Sequence, residues 1–146
     1  MSARPQSGVT LTEVLIALAI LGILLAIAIP NLRTPAVRLA ADAVQAFVQQ
    51  ARFEAIRLNQ EVGVTLRAGS FQVRPGGCSS TSVRQLELSE FPQVVAEGGD
   101  FMWLPTGEAR DCSSGSLGLA GISWQLSDGR RSEEVRVGPG GVVSTR

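Results

Sequence analysis

The chain has 146 residues, with thirteen basic residues against thirteen acids and no net formal charge, so composition implies no general affinity for polyanions. Every base is arginine; there is no lysine, histidine or tyrosine. The missing imidazole excludes Ser-His-Asp, Cys-His and His-Glu-x-x-His sites, and enzyme is not the expectation.

The first thirty residues are the most informative. From Val14 to Ile29 every side chain is apolar or glycine, and Glu13 is the only charge between Arg4 and Arg33. About twenty apolar residues at roughly 1.5 Å each span a bilayer, so residues 9–29 are just long enough. A carboxylate in such a segment costs about 2.5–3.5 kcal/mol on insertion scales, so Glu13 needs a reason. A half-exposed core helix does not fit, because the run has no polar stripe. A plain membrane anchor leaves Glu13 unexplained. A secretory signal peptide, cut after Ala28 to release a soluble periplasmic binding module, has Arg4 and Ala26-Ile27-Ala28 in its favour. Against it, the apolar run exceeds the usual 7–15 residues and carries an acid at its head.

Pro30 predicts a kink, followed by a less regular passage over 31–35. From Ala36 the series Val37, Ala40, Val44, Phe47, Ala51, Ala55 and Leu58 steps by three or four, which puts it on one helix face against a sheet. Arg38, Asp42, Gln45, Gln49 and Arg52 fall elsewhere on that helix, and Asn59 or Gly63 is the expected stop. Residues 61–66 and 70–74 read as strands joined by a hairpin at Arg67-Ala68-Gly69. Residues 75–82 are loop by composition, and 85–89 alternate with Leu86 and Leu88 on one face. Further strand candidates are 94–95 and 101–104. Ile122, Trp124 and Leu126 alternate before Asp128-Gly129, a two-residue hairpin turn, and Val135 and Val137 return. Pro139-Gly140-Gly141 turns again before Val142-Val143. The expected fold class is α+β: a long N-terminal helix, transmembrane in its first half and amphipathic in its second, packed on an antiparallel β-sheet head.

Cys78 and Cys112 lie in similar polar contexts, Gly77-Cys78-Ser79-Ser80 and Asp111-Cys112-Ser113-Ser114. If the head faces an oxidising compartment, a disulfide between them closes a loop of about 35 residues, worth on the order of 3–4 kcal/mol. Two free thiols are the alternative. Two cysteines without histidine are too few for a zinc site, so neither a metal nor a cofactor is expected.

Gly8-Val9-Thr10-Leu11-Thr12-Glu13, the apolar stretch and Pro30 together resemble the class III leader of type IV pilins and type II secretion pseudopilins. The resemblance implies that a prepilin peptidase cuts between Gly8 and Val9 and that the new amine of Val9 is N-methylated. It also implies that Glu13 sets filament register by pairing with the amine of a neighbouring subunit. Such an ion pair is seldom a net gain over apolar packing, but it penalises wrong registers. Glu13 and Pro30 become the fifth and twenty-second mature residues, where the family has Glu and Pro; Val9 departs from its usual Phe or Met. The domains so implied are a leader (1–8), a transmembrane and filament-core half-helix (9–30), an amphipathic half-helix (31–60) and a β-rich head (61–146).

The body is similar to pseudopilin H and FimT-type minor pilins. The similarity rests on Ala51-Arg52-Phe53-Glu54-Ala55-Ile56-Arg57, Leu104-Pro105-Thr106-Gly107-Glu108-Ala109, residues 122–130 and 134–137, and Gly138-Pro139-Gly140-Gly141-Val142-Val143. It implies a structural subunit whose partners are other pilins, the prepilin peptidase, an inner-membrane assembly platform and, before assembly, the membrane itself. The head would lie in the periplasm, and after assembly in a pilus or pseudopilus. A minor pilin of a type IV or DNA-uptake pilus, acting in filament assembly and natural transformation, is the leading expectation; a type II secretion pseudopilin is the alternative. FimT-type proteins are implied to contact DNA through a basic C-terminal region, which here means Arg130, Arg131, Arg136 and Arg146. A solvated strand face with paired charges competes with that reading. Glu133 and Glu134 interrupt the cluster, and Val142 stands where the family often has Arg.

Overall fold

The computed structural model describes residues 10–31, 35–113 and 115–146, with backbone alone for 26–31. The chain divides into two units, Met1–Thr34 and Pro35–Arg146. The first contains α1 (Leu11–Asn31). Thr10 caps it: the Glu13 N–H lies 3.3 Å from the Thr10 hydroxyl and 3.1 Å from its carbonyl. Pro30 is helical within α1, and residues 32–34 lie outside the described residues, as do Gly8 and Val9. Among the described residues no helix is long and apolar enough to cross a membrane.

The second unit opens with α2 (Ala36–Leu58). It buries Val37, Ala40, Ala41, Val44, Phe47, Val48, Ala51 and Ala55, and the four alanines let the helix sit close to the sheets. Leu58, expected on this face, is exposed instead. The helix ends there, with Asn59 left-handed at φ 49° and the Gln60 N–H returning to the Ala55 carbonyl at 3.2 Å.

The nine strands among the described residues form two antiparallel sheets rather than one. β1 (Val62–Arg67), β2 (Ser70–Pro75), β3 (Arg84–Glu87), β5 (Phe101–Trp103) and β6 (Ala109–Asp111) are ordered β3-β2-β1-β5-β6. β4 (Val95–Gly98), β7 (Ile122–Ser127), β8 (Ser132–Val137) and β9 (Val143–Thr145) are ordered β4-β7-β8-β9. The β1–β2 hairpin turns at residues 67–70 as expected, with Arg67 opposite Ser70. Leu88, expected to extend β3, is buried in a 3-10 turn at Leu88–Glu90. The expected two-residue turn at Asp128-Gly129 is a four-residue connection. There the Asp128 carboxylate accepts the N–H groups of Arg130 and Arg131 at 2.9 and 2.8 Å, and the Asp128 N–H closes the connection on the Arg131 carbonyl at 3.2 Å.

Aromatic side chains join the sheets. Trp124 of β7 meets Phe71 of β2 edge-on at 5.2 Å and Phe101 of β5 at 5.4 Å, and Phe101 stands edge-on to Trp103 at 5.1 Å. Both buried indoles are satisfied: Trp103 donates to the Val48 carbonyl at 3.1 Å and Trp124 to the Gly99 carbonyl at 2.8 Å. Gly63 explains itself by a close approach. A Cβ there would lie 2.8 Å from the Cα of Cys78, so the loop carrying Cys78 crosses β1 at backbone distance. Cys78 and Cys112 form a disulfide with Cα atoms 6.0 Å apart, joining the loop after β2 to the end of β6.

Candidate functional site

α1 presents the first candidate surface. Leu11, Val14, Leu15, Ile16, Leu18, Ile20, Leu21, Ile23, Leu24 and Leu25 are all exposed, on every side of the helix. Burying a large apolar side chain fully is worth about 1.5–3 kcal/mol, so covering this group, already part-shielded by helix neighbours, gains on the order of 10 kcal/mol. An apolar cylinder of this kind is stable only inside lipid or among other helices. Glu13 lies in its first turn, exposed, three residues after Thr10. Thr10-x-x-Glu13 is also the spacing of a capping box, which gives the acid a local role at the positive end of the helix. That signal was present in the sequence and is independent of any partner.

α2 carries a second, narrower surface. Leu39, Ala46, Phe53 and Ile56 are exposed at spacings of seven, seven and three, opposite the face packed on the sheets. Gln49 and Asp42 share the stripe, so it is apolar only in part.

Of the four arginines of the expected basic region, two share the β7–β8 turn and two lie along β8 and just beyond β9. Arg130 and Arg131 sit together in the β7–β8 turn, exposed. Arg136 is five residues further along, about 17 Å at strand rise, and its guanidinium donates to the Ala120 carbonyl, with Nε at 2.8 Å. Arg146 pairs through its backbone with Glu134, at 2.7 and 2.9 Å. It lines a surface cavity of about 280 Å³ with Arg38, Asp42 and Glu133, where acids match bases. Asp128 lies beside the two turn arginines. The backbone N–H groups of Arg130 and Arg131, and then the charge of Arg131, hold its carboxyl below the ordinary value.

Sequence periodicity sets Arg52 off the packed face of α2 and misses its role. The side chain is half-buried and donates from Nε to the Gly107 carbonyl at 2.9 Å and from Nη1 to the Gly141 carbonyl at 2.9 Å. Its guanidinium lies 5.5 Å from the Trp103 ring centre. The available signal was the pair of glycine turns themselves, whose inward carbonyls need a donor. Among the described residues no group of His, Cys, Asp and Glu is arranged to hold a metal.

Comparison with known families matches residues 3–29 to the prokaryotic N-terminal methylation motif and residues 40–144 to the type II transport protein GspH. The second match covers more than two thirds of the chain. The chain belongs to the GspH family. GspH-type chains lie within the pilin and pseudopilin superfamily, whose members are structural subunits and not enzymes. The fold of this GspH-family chain is similar to that of the type IV minor pilin FimU of Pseudomonas aeruginosa strain PAO1 in two crystal forms. The TM-scores are 0.57 and 0.58 at 11% identity, over 75% of this chain and 91% and 87% of the others. At that identity the likeness is one of fold. A comparison with curated proteins finds no match. Family membership and the methylation motif imply processing by a prepilin peptidase, anchoring in a membrane before assembly, and assembly with other pilins.

Proposed function

We propose that this chain is a minor pilin of a type IV or DNA-uptake pilus. On this reading the chain is cut between Gly8 and Val9 and methylated at Val9. Residues 9–30 hold it in the inner membrane, with the head in the periplasm, until an assembly platform passes it into a filament. The observation that carries the proposal is the uncovered apolar surface of α1 with one acid in its first turn. Lipid covers that surface before assembly and neighbouring helices cover it afterwards. Glu13 then neutralises the new amine of the adjacent subunit, which selects register at little gain in stability. The outward stripe of α2 supplies a further, weaker contact for those neighbours.

Mass spectrometry of the mature chain from cells tests the reading. N-methyl-Val9 at the terminus is expected; a chain still starting at Met1, or one starting at Ile29 after cleavage behind Ala28, refutes it. Glu13→Ala is expected to be processed normally and to be nearly absent from sheared filaments, as scored by immunogold labelling.

The family match to a type II transport protein favours a second reading, a type II secretion pseudopilin. A deletion strain separates the two: loss of transformation with normal secretion supports the first, and the reverse supports the second. DNA contact belongs to the first reading and is best supported at Arg130 and Arg131, whose side chains share an exposed turn. Replacing both with alanine is expected to weaken binding and to lower the salt slope by about 1.4–1.8, since each lost phosphate contact removes about 0.7–0.9. Absence of any gel shift by the wild-type chain at low salt removes DNA from the proposal.

A further inference from the structure

Three segments far apart in sequence meet at the guanidinium of Arg52. One is the second turn from the end of α2. The second is the turn between β5 and β6, from the five-stranded sheet; the third is the turn between β8 and β9, from the four-stranded sheet. Both turns are built to bring a carbonyl inward. Gly107 and Gly141 are left-handed, at φ 82° and 80°. A Cβ on Gly141 would lie 2.4 Å from the Gly107 carbonyl oxygen and 2.9 Å from Cζ of Arg52, so only glycine lets the two turns close on the cation. Trp103 forms one side of the site, and its indole N–H is anchored to the Val48 carbonyl, one turn earlier on α2. The Ala109 N–H also donates to the Pro139 carbonyl at 3.4 Å, a direct bond between the two turn regions.

We propose that Arg52 is a latch: a positioning residue that fastens one turn of each sheet to α2, so that helix and both sheets move as one body. A planar guanidinium spreads its donors over three nitrogens in a fixed fork, and here Nε and Nη1 serve different carbonyls; an ammonium carries its three donors on a single atom and cannot occupy both positions. The bonds are charge-assisted and stronger than neutral ones, and they sit over an aromatic face that favours a cation. On the filament reading, tension enters the head through its helix during extraction from the membrane. The latch then passes it to both sheets together instead of peeling one away. That consequence rests on the proposed function; the latch itself does not.

The test uses the full chain in detergent micelles, with hydrogen exchange of two reporter amides. Gly107 N–H bonds the Leu104 carbonyl and Gly141 N–H bonds the Gly138 carbonyl, each at 2.9 Å. Arg52→Met is expected to speed exchange at both by about tenfold or more, while β1–β2 amides such as those of Thr65 and Gln72 keep their protection. Arg52→Lys is expected to restore protection at one turn and not both. In Arg52→Met, unchanged turn amides, a response confined to one turn, or an equal rise throughout the sheets overturns the latch. If Arg52→Met fails to fold, Arg52→Lys alone decides: loss at one turn supports the proposal, and full protection at both refutes it. In cells, Arg52→Met should be processed at its N-terminus but under-represented in filaments. A wild-type chain absent from filaments would sink the filament reading and leave the exchange result standing.

Discussion

α1 and α2 are nearly equal in length, 21 and 23 residues, yet they solve opposite problems. In α1 the apolar side chains face every direction and none of those described is covered within the chain. In α2 they are confined to one face, and eight residues there are buried on the sheets. A helix whose apolar surface is matched inside the molecule stabilises the fold; one whose surface is unmatched specifies a surrounding. Substitutions in the two helices and their partners should therefore separate stability from assembly.

The largest expected effect on stability lies at the sheet–sheet core. Trp124→Ala removes a fully buried ring, its contacts with Phe71 and Phe101, and the donor to the Gly99 carbonyl. It should destabilise the head by about 3–5 kcal/mol, measured by denaturant unfolding followed through Trp103 fluorescence. Leu18→Ala in α1, by contrast, should leave that unfolding transition within about 0.5 kcal/mol of wild type and reduce membrane retention or filament content instead. A matching loss of head stability from Leu18→Ala would erase the distinction between the helices.

The disulfide comes next. Cys112→Ser opens a loop whose ends are 34 residues apart and should lower stability by about 3–4 kcal/mol in the chain-entropy view, without altering α1. The comparison is made between the wild-type chain and the variant, both under non-reducing conditions. Equal stability of the two would mean that the bridge contributes no net stability, a limit set by strain or residual structure in the unfolded chain.

Much of this contrast is legible in the sequence. Unbroken apolar character marks α1, and three-four periodicity marks α2, because a helix repeats every 3.6 residues whatever it packs against. The capping asparagine at 59 and the β7–β8 alternation are equally local signals. What escaped is what depends on partners distant in the chain. The division into two sheets follows from β5 pairing with β1 while β4 pairs with β7, and no local pattern encodes that choice. β6 is three residues long and shows no alternation to read. The role of Arg52 was not legible because its acceptors lie 55 and 89 residues away. The arginines at 130, 131 and 136 are close in sequence, but the extended strand sets the turn pair apart from Arg136, while cross-strand pairing, which no local pattern encodes, brings Arg146 opposite Glu134.

The smallest effect sits in the β7–β8 turn and tests whether backbone or side-chain charge governs it. Asp128 is held below its ordinary value of 3.8, first by the N–H groups of Arg130 and Arg131 and only then by the Arg131 charge. A carboxyl depressed in the folded state binds its proton more readily when unfolded. Its stabilising contribution is therefore complete above the ordinary carboxylate range and is lost as pH falls through the folded-state value. NMR titration of the Asp128 carboxyl carbon should give a midpoint below 3.8. Arg131→Ala removes the charge but keeps both amides, so the midpoint should rise only part of the way. A full return to the ordinary value would assign the shift to the arginine side chain and make this turn an ion pair. Persistence of most of the shift would make it a backbone device that leaves both guanidinium groups free to meet an anionic partner.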